Sequence, residues 1–314
     1  MERVPTLKDC AEIYIANRQI KKSTADSYRT ALRSVCQDWL DMPIDELTKG
    51  MVVDRHKSHS QHSPGQADLC MRVLRCVLRW GAEYWSSGEE PLIKSIPTDR
   101  LTILKLWHKP NRKINDRIEL EDLGRWFHSV RKLSHTQRDY LYFLVATGCR
   151  RNEGAMVQFE DIDFERGLVR IHCAGDGTKT TAEHVLPLSD WLLEMLWLRR
   201  AGHESGYGWV FPNQWNSGPL TSPYRAIKTV TTETGIKFSP HTLRRTFALL
   251  ATHPDVGADE LVLKACLNHA LTGVTWKHYL KPDPERLRPT IQGVSDLLLR
   301  LAGCDWADTA TRAL

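Results

Sequence analysis

The sequence lacks any long apolar run, whereas a bilayer-spanning helix needs about 20 consecutive apolar residues, so a membrane protein is excluded as the starting expectation. Its first residues, MERVPTLKDC, lack the apolar core of a secretory signal. A cytoplasmic location is the default that follows. The eight cysteines (Cys10, Cys36, Cys70, Cys76, Cys149, Cys173, Cys266 and Cys304) include no close CxxC pair of the kind structural zinc uses. They read as reduced, mostly buried thiols. Internal repeats and low-complexity tracts are also missing, which excludes solenoid and disordered architectures. Charge of one sign is not dominant: 43 basic against 38 acidic residues leave a net +5, a balance that permits nucleic-acid binding without demanding it.

What is present is an ordinary globular composition, 41% hydrophobic and 26% charged over 314 residues, a length that suggests two domains. Residues 1–105 read as a small helical domain. Leu7, Cys10, Ala11 and Tyr14 form one apolar stripe, and Tyr28, Leu32, Val35 and Trp39 a second. Between them Ser23 and Thr24 offer N-cap hydroxyls directly after Lys21 and Lys22, a helix start suited to a phosphate. In HKSHSQH the histidines His56, His59 and His62 recur every third residue, a spacing that would hold a metal on a helix. The Ser, Gln and Pro64 around them favour a solvated loop, and no metal or other cofactor is expected. After Pro64 a helix sets Leu69, Val73, Cys76, Val77 and Trp80 on one side and Arg72, Arg75 and Arg79 within a narrow arc on another. Such an arginine stripe is a solvated face or a DNA-contacting one.

Residues 106–118 combine Pro110, Asn111 and alternating charge with no amphipathic period, and read as a basic interdomain linker. The second domain, 119–314, opens with helices carrying Leu120, Leu123, Trp126, Phe127 and Val130, then the DYLYFLVA run that stops at Thr147 and Gly148. GLVRIH, the turn AGDGTKT and HVLPL fit a β-hairpin. Helices resume near Asp190. The expected class is mainly α with a small antiparallel β-sheet, that is, α+β.

Five segments carry the chemistry: TGCRRNEG (147–154), TKT (178–180), PHTLRRTF (240–247), LNH (267–269) and WKHYL (276–280). Breaking a phosphodiester without a metal requires an oxygen nucleophile, a proton donor for the leaving 5′-oxygen and fixed positive charge for the transition state. Arg150 and Arg244 suit the charge role, since a guanidinium stays protonated and donates paired hydrogen bonds to non-bridging oxygens. His241 and Arg244 lie three apart and share a face if a helix begins at Pro240. Singly, each of these residues is more often an exposed charge or a packed ring. Together and in this order they resemble the tyrosine recombinase (phage integrase) family, whose helical core-binding domain the first hundred residues also resemble.

The resemblance implies the following roles. Tyr279 is the nucleophile, and Lys179, on the hairpin eight residues before Pro187, is the general acid. Arg150, His241, Arg244 and His269 hold the phosphate or move protons, and Glu153 orients an arginine. The product is a 3′-phosphotyrosine with a free 5′-hydroxyl, and strand exchange passes through a Holliday junction without ATP or metal. Double-stranded DNA is then the partner, contacted by Lys21, Lys22, Arg72, Arg75 and Arg79. The resemblance also implies a homotetramer on DNA, a monomer when free, accessory or directionality factors and association with the nucleoid. Alternatives are a type IB topoisomerase-like relaxase, against which the short first domain argues, and a DNA-binding regulator that has lost a catalytic group. The few residues ahead of the first helix suggest no separate arm-binding domain.

Three departures stand out: Asn268 where glycine is frequent, Gly154 in place of a larger apolar residue, and one extra residue between His269 and Tyr279, beside His278. After Tyr279, Val294, Leu297, Leu298 and Leu301 form a stripe that packs in cis or docks on a neighbouring protomer. The family favours the neighbour.

Overall fold

A computed structural model describes residues 4–86, 90–109, 116–172, 184–202, 208–269 and 283–304. The chain divides into two compact units, Met1–Arg112 and Lys113–Leu314, each with its own apolar core.

The first unit is helical throughout: α1 (Leu7–Asn17), α2 (Lys22–Cys36), α3 (Lys49–Ser60), α4 (Pro64–Tyr84) and the short α5 (Asp99–Ile103). Thr6 starts α1 by accepting from the Asp9 N–H at 3.2 Å, while the Asp9 carboxylate receives the Thr6 N–H at 3.3 Å. Thr48 caps α3 by accepting from the Met51 N–H at 3.2 Å. The start of α2 differs from expectation. Its N-cap is Lys21, whose side chain makes no capping bond, so Ser23 and Thr24 fall inside the helix.

α4 packs against α1, α2 and α3, so its buried arc is wider than a one-sided stripe and is turned away from the expected one. Ala67, Cys70, Met71, Leu74, Val77, Leu78 and Gly81 face inward, whereas Leu69 and Cys76 are exposed. The histidine segment is also corrected. α3 runs through Ser60, so His56 and His59 are helical, because the Thr48 cap and burial of Val52 and His56 outweigh the local loop signals.

The second unit begins with α6 (Leu120–Arg131), α7 (His135–Thr147) and α8 (Arg151–Ala155). α7 is buried on all sides along Asp139–Thr147, which explains why DYLYFLVA shows no amphipathic period. Its one buried charge, Asp139, is paired with Arg138 at 2.8 Å and Arg199 at 2.9 Å. Strands β1 (Ile162–Asp163), β2 (Leu168–Ile171) and β3 (His184–Pro187) form an antiparallel sheet in that order, with Ile162 opposite Val169 and Ile171 opposite His184. The expected hairpin is thus present with one further short strand. Its turn lies outside the described residues. Then follow α9 (Asp190–Ala201), α10 (Tyr224–Thr234), α11 (Pro240–Ala251), α12 (Glu260–Cys266) and α13 (Pro284–Leu301).

α13 closes the core of this unit. Leu287, Ile291, Val294 and Leu298 are buried against α6, α7, α11 and β3. Ser295 donates to Ser189 at 2.7 Å, and Gly124 of α6 approaches so closely that a Cβ there would lie 2.9 Å from the Leu301 carbonyl oxygen. Of the two alternatives open for this stripe, α13 takes the one in cis: Val294, Leu297 and Leu298 are buried within their own chain.

Both ends of the segment read as a linker are anchored, each on its own unit. Trp107 Nε1–H donates to Thr102 Oγ1 at 2.9 Å, while the Ile118 N–H donates to Thr246 Oγ1 at 2.9 Å and Asp116 accepts from Thr242 at 2.9 Å.

Candidate active site

α7 ends on Gly148 in the left-handed region (φ +66°), the conformation glycine adopts without penalty. A Cβ there would also lie 2.6 Å from the Phe247 ring. This turn delivers Arg150 to the start of α8. The Arg150 N–H donates to Glu153 Oε2 at 2.8 Å, and its guanidinium donates to Glu153 Oε1 at 2.6 Å. Glu153 is buried, so its carboxylate fixes both backbone and side chain of Arg150 while leaving that side chain 44% exposed. Gly154 has a packing reason: a Cβ at this position would be 2.8 Å from Leu144 Cδ2.

Ser239 caps α11 by accepting from Thr242, Pro240 occupies the first turn, and the helix begins where the HxxR spacing required. His241 and Arg244 lie one turn apart, His241 exposed and Arg244 buried. The Arg244 guanidinium donates to the Gly148 carbonyl at 2.8 Å and to the Leu267 carbonyl. One side chain thereby ties the turn before Arg150 to the turn before His269. Burial and the neighbouring Arg150 press its pKa down, against the pull of Glu153. A guanidinium stays protonated in proteins.

After α12 the chain turns through Asn268 at φ +47°, a conformation that asparagine tolerates better than most non-glycine residues. The His269 N–H then donates to the Lys264 carbonyl at 3.0 Å. Partial burial, then Arg244, Arg150 and Lys264, hold the His269 imidazole below its ordinary pKa. It is biased toward the neutral form, which can accept a proton.

Sequence reasoning passed over His184. On β3 it is buried, in step with Leu186, and its Nε2–H donates to the Ala265 carbonyl at 3.1 Å, tying the sheet to the end of α12. Its Nδ1 has no partner among the described residues. An inward histidine in a strand otherwise alternating with apolar residues was the available signal. Lys179, His278 and Tyr279 lie outside the described residues.

In the first unit Lys21 and Lys22 are exposed at the start of α2. The arginines of α4 are not equivalent. Arg75 is 21% exposed and occupied internally, donating to the Thr98 carbonyl at 2.8 Å and Thr102 Oγ1 at 2.7 Å. Arg72 and Arg79 stay largely exposed, although Arg79 reaches Asp99 at 2.9 Å.

Among the described residues no helix is long and apolar enough to cross a membrane. The pattern of the phage integrase family matches residues 116–286. The chain is 26% identical over 269 residues to the prophage integrase IntF of Escherichia coli K12, covering 84% of this chain and 56% of that protein. It is 30% identical over 178 residues to the tyrosine recombinase XerA of Pyrococcus furiosus, covering 53% of this chain and 59% of the relative. It thus spans a little over half the length of these two curated relatives. The fold matches a lambda integrase dimer bound to a core site (TM-score 0.66, 16% identity, 89% of this chain and 99% of that one). It also matches the Tn1549 transposon integrase in complex with circular intermediate DNA (TM-score 0.67, 17% identity, 90% and 97%). With the family pattern spanning more than half of the sequence and the fold shared along most of its length, the chain belongs to the phage integrase family.

Proposed function

We propose that this protein is a site-specific DNA recombinase that cuts and rejoins strands through a 3′-phosphotyrosine on Tyr279. The observation that carries the reading is the Arg244 guanidinium, bonded to both the Gly148 and Leu267 carbonyls, which ties together the turns that carry Arg150 and His269. Two guanidiniums and a neutral-biased imidazole are the donors and acceptor that an in-line displacement at phosphorus requires. Tyr279 Oη bonds to phosphorus as its proton passes to His269. The bond to the 5′-oxygen breaks, and Lys179 supplies the proton to that leaving oxygen. A 5′-hydroxyl of a second duplex reverses the step on a new partner, so no cofactor is consumed. One protein of the same fold is described as a lambda integrase tetramer bound to a Holliday junction. The same assembly, two duplexes held by four copies, is proposed for this chain, which is a monomer when free. Lys21, Lys22, Arg72 and Arg79 are proposed to contact phosphates, and His241 to hydrogen-bond the scissile one.

The test is a nicked suicide duplex. Tyr279→Phe retains duplex binding and forms no covalent adduct, since the ring is kept and the nucleophilic oxygen removed; a persistent adduct in that variant overturns the assignment. Lys179→Ala slows cleavage of the normal duplex while sparing one with a 5′-thiol leaving group, which needs little protonation. Equal losses on both substrates would remove Lys179 from the general-acid role.

A further inference from the structure

In the first unit three ligand-type side chains from separate segments converge. His56 is buried toward the end of α3, Asp68 is buried near the start of α4, and His108 follows α5. His56 Nε2 lies 2.8 Å from Asp68 Oδ1, and His108 Nδ1 lies 3.0 Å from the same oxygen. The three atoms fall within 4.8 Å of one another. We propose that they form a binding site for one divalent transition metal of the zinc class, with His56 Nε2, Asp68 Oδ1 and His108 Nδ1 as its ligands.

The separations that serve two hydrogen bonds also suit a common centre. Zinc bonds of about 2.0–2.2 Å to nitrogen and oxygen place neighbouring ligand atoms roughly 2.9–3.4 Å apart, from right-angled to tetrahedral arrangements. The two separations from Asp68 Oδ1, 2.8 and 3.0 Å, need to widen by only a few tenths of an ångström, and the two imidazole nitrogens, within 4.8 Å of each other, need to lie in the same range.

The surroundings are those of a held ligand set. Asp68 Oδ2, the carboxylate oxygen left over, accepts the His108 backbone N–H at 3.2 Å and lies 3.5 Å from the Arg72 guanidinium, contacts that fix the carboxylate's orientation. The His56 ring stacks on His108 at 5.1 Å and meets Trp107 edge-on at 5.9 Å. Trp107 is itself covered by the guanidiniums of Arg72 and Arg75.

Two imidazoles and one carboxylate select zinc, cobalt or nickel over magnesium or calcium, which prefer all-oxygen shells. The His108 side chain is 36% exposed, so water has access to a fourth position. A bound ion would join α3, α4 and the segment that leads to residue 109. This site takes no part in strand cleavage and does not rest on the recombinase reading.

The experiment titrates the chelator-stripped full chain, under a phosphine reductant, with Zn²⁺ against a chromophoric competitor, in a background carrying His59→Ala, His62→Ala and Cys76→Ser. These replacements remove other exposed donors of the first unit. One equivalent binds in that background. Adding His108→Ala, at a half-exposed position, weakens binding by more than the roughly tenfold to hundredfold that loss of an outer contact costs. Co²⁺ substitution gives visible d–d bands in the background protein that vanish with His108→Ala. A hydrogen-bonded network only, seen as no stoichiometric binding in the background or as affinity unchanged by His108→Ala, overturns the site.

Discussion

Arg244 makes the clearest residue-scale demand, because its planar fork spans two carbonyls that no other described side chain joins. A lysine keeps the charge but replaces the planar fork with a single ammonium. Arg244→Lys is expected to lower suicide-substrate cleavage by about 10²–10³, the usual cost of one lost transition-state donor. It should also destabilise by about 1–3 kcal/mol through a buried carbonyl left unpaired. Cleavage at the parental rate would detach Arg244 from the chemistry. His184 makes a prediction in pH. Burial drives its pKa below the ordinary value, against the Ala265 carbonyl and Glu153 and with help from Arg244 and Arg150. A folded-state pKa below the unfolded one, about 6.5, means that the unfolded chain binds the proton more readily. This contribution to stability is whole above about pH 6.5 and is lost as pH falls from there through the depressed folded value. The urea midpoint of the parent should therefore drop across that window, and that of His184→Gln should drop less; parallel curves would show that His184 titrates alike in both states.

At the scale of elements, the short α8 is fixed by what lies beneath it. Gly154→Leu forces a side chain into Leu144, whose Cδ2 would lie 2.8 Å from the new Cβ. The expected loss is about 1–3 kcal/mol, with the turn carrying Arg150 exchanging its amides faster. α13 offers a sharper comparison because its apolar stripe allowed two outcomes. Leu298 is fully buried within its own unit, so Leu298→Ala should cost about 2–5 kcal/mol. The shift should be the same at low and high protein concentration, since a helix packed in cis gains nothing from mass action. A melting temperature that rose with concentration in the parent and not in the variant would restore docking between protomers. The sequence was silent on this choice because a stripe of Val294, Leu297 and Leu298 records that a face is buried, never whose chain buries it.

Across the molecule, the legible parts were those with a local cause. α11 starts at Pro240 because a serine cap and a proline are both written there, and α7 stops at Gly148 because the left-handed turn requires glycine. What escaped depended on residues far apart in sequence, such as the pairing of His184 with Ala265 or of His56 with Asp68 and His108. The α4 arginines show the same divide. Their shared arc was readable at 100° per residue, but Thr98 and Thr102, which occupy Arg75, arrive from a different segment. This difference separates two outcomes on DNA. Duplex affinity should fall linearly with the logarithm of salt concentration, with a slope of about −0.9 per phosphate neutralised. Replacing Lys21, Lys22, Arg72 or Arg79 singly by Gln should weaken binding to any duplex and reduce that slope by about one. Arg75→Gln should leave the slope nearly unchanged and lower the melting temperature instead, because its guanidinium is already held by the buried Thr98 carbonyl and by Thr102 Oγ1. If Arg75→Gln flattened the salt dependence as much as Arg72→Gln, the internal bonds seen here would have to open on binding, and α4 would meet the backbone with all three arginines.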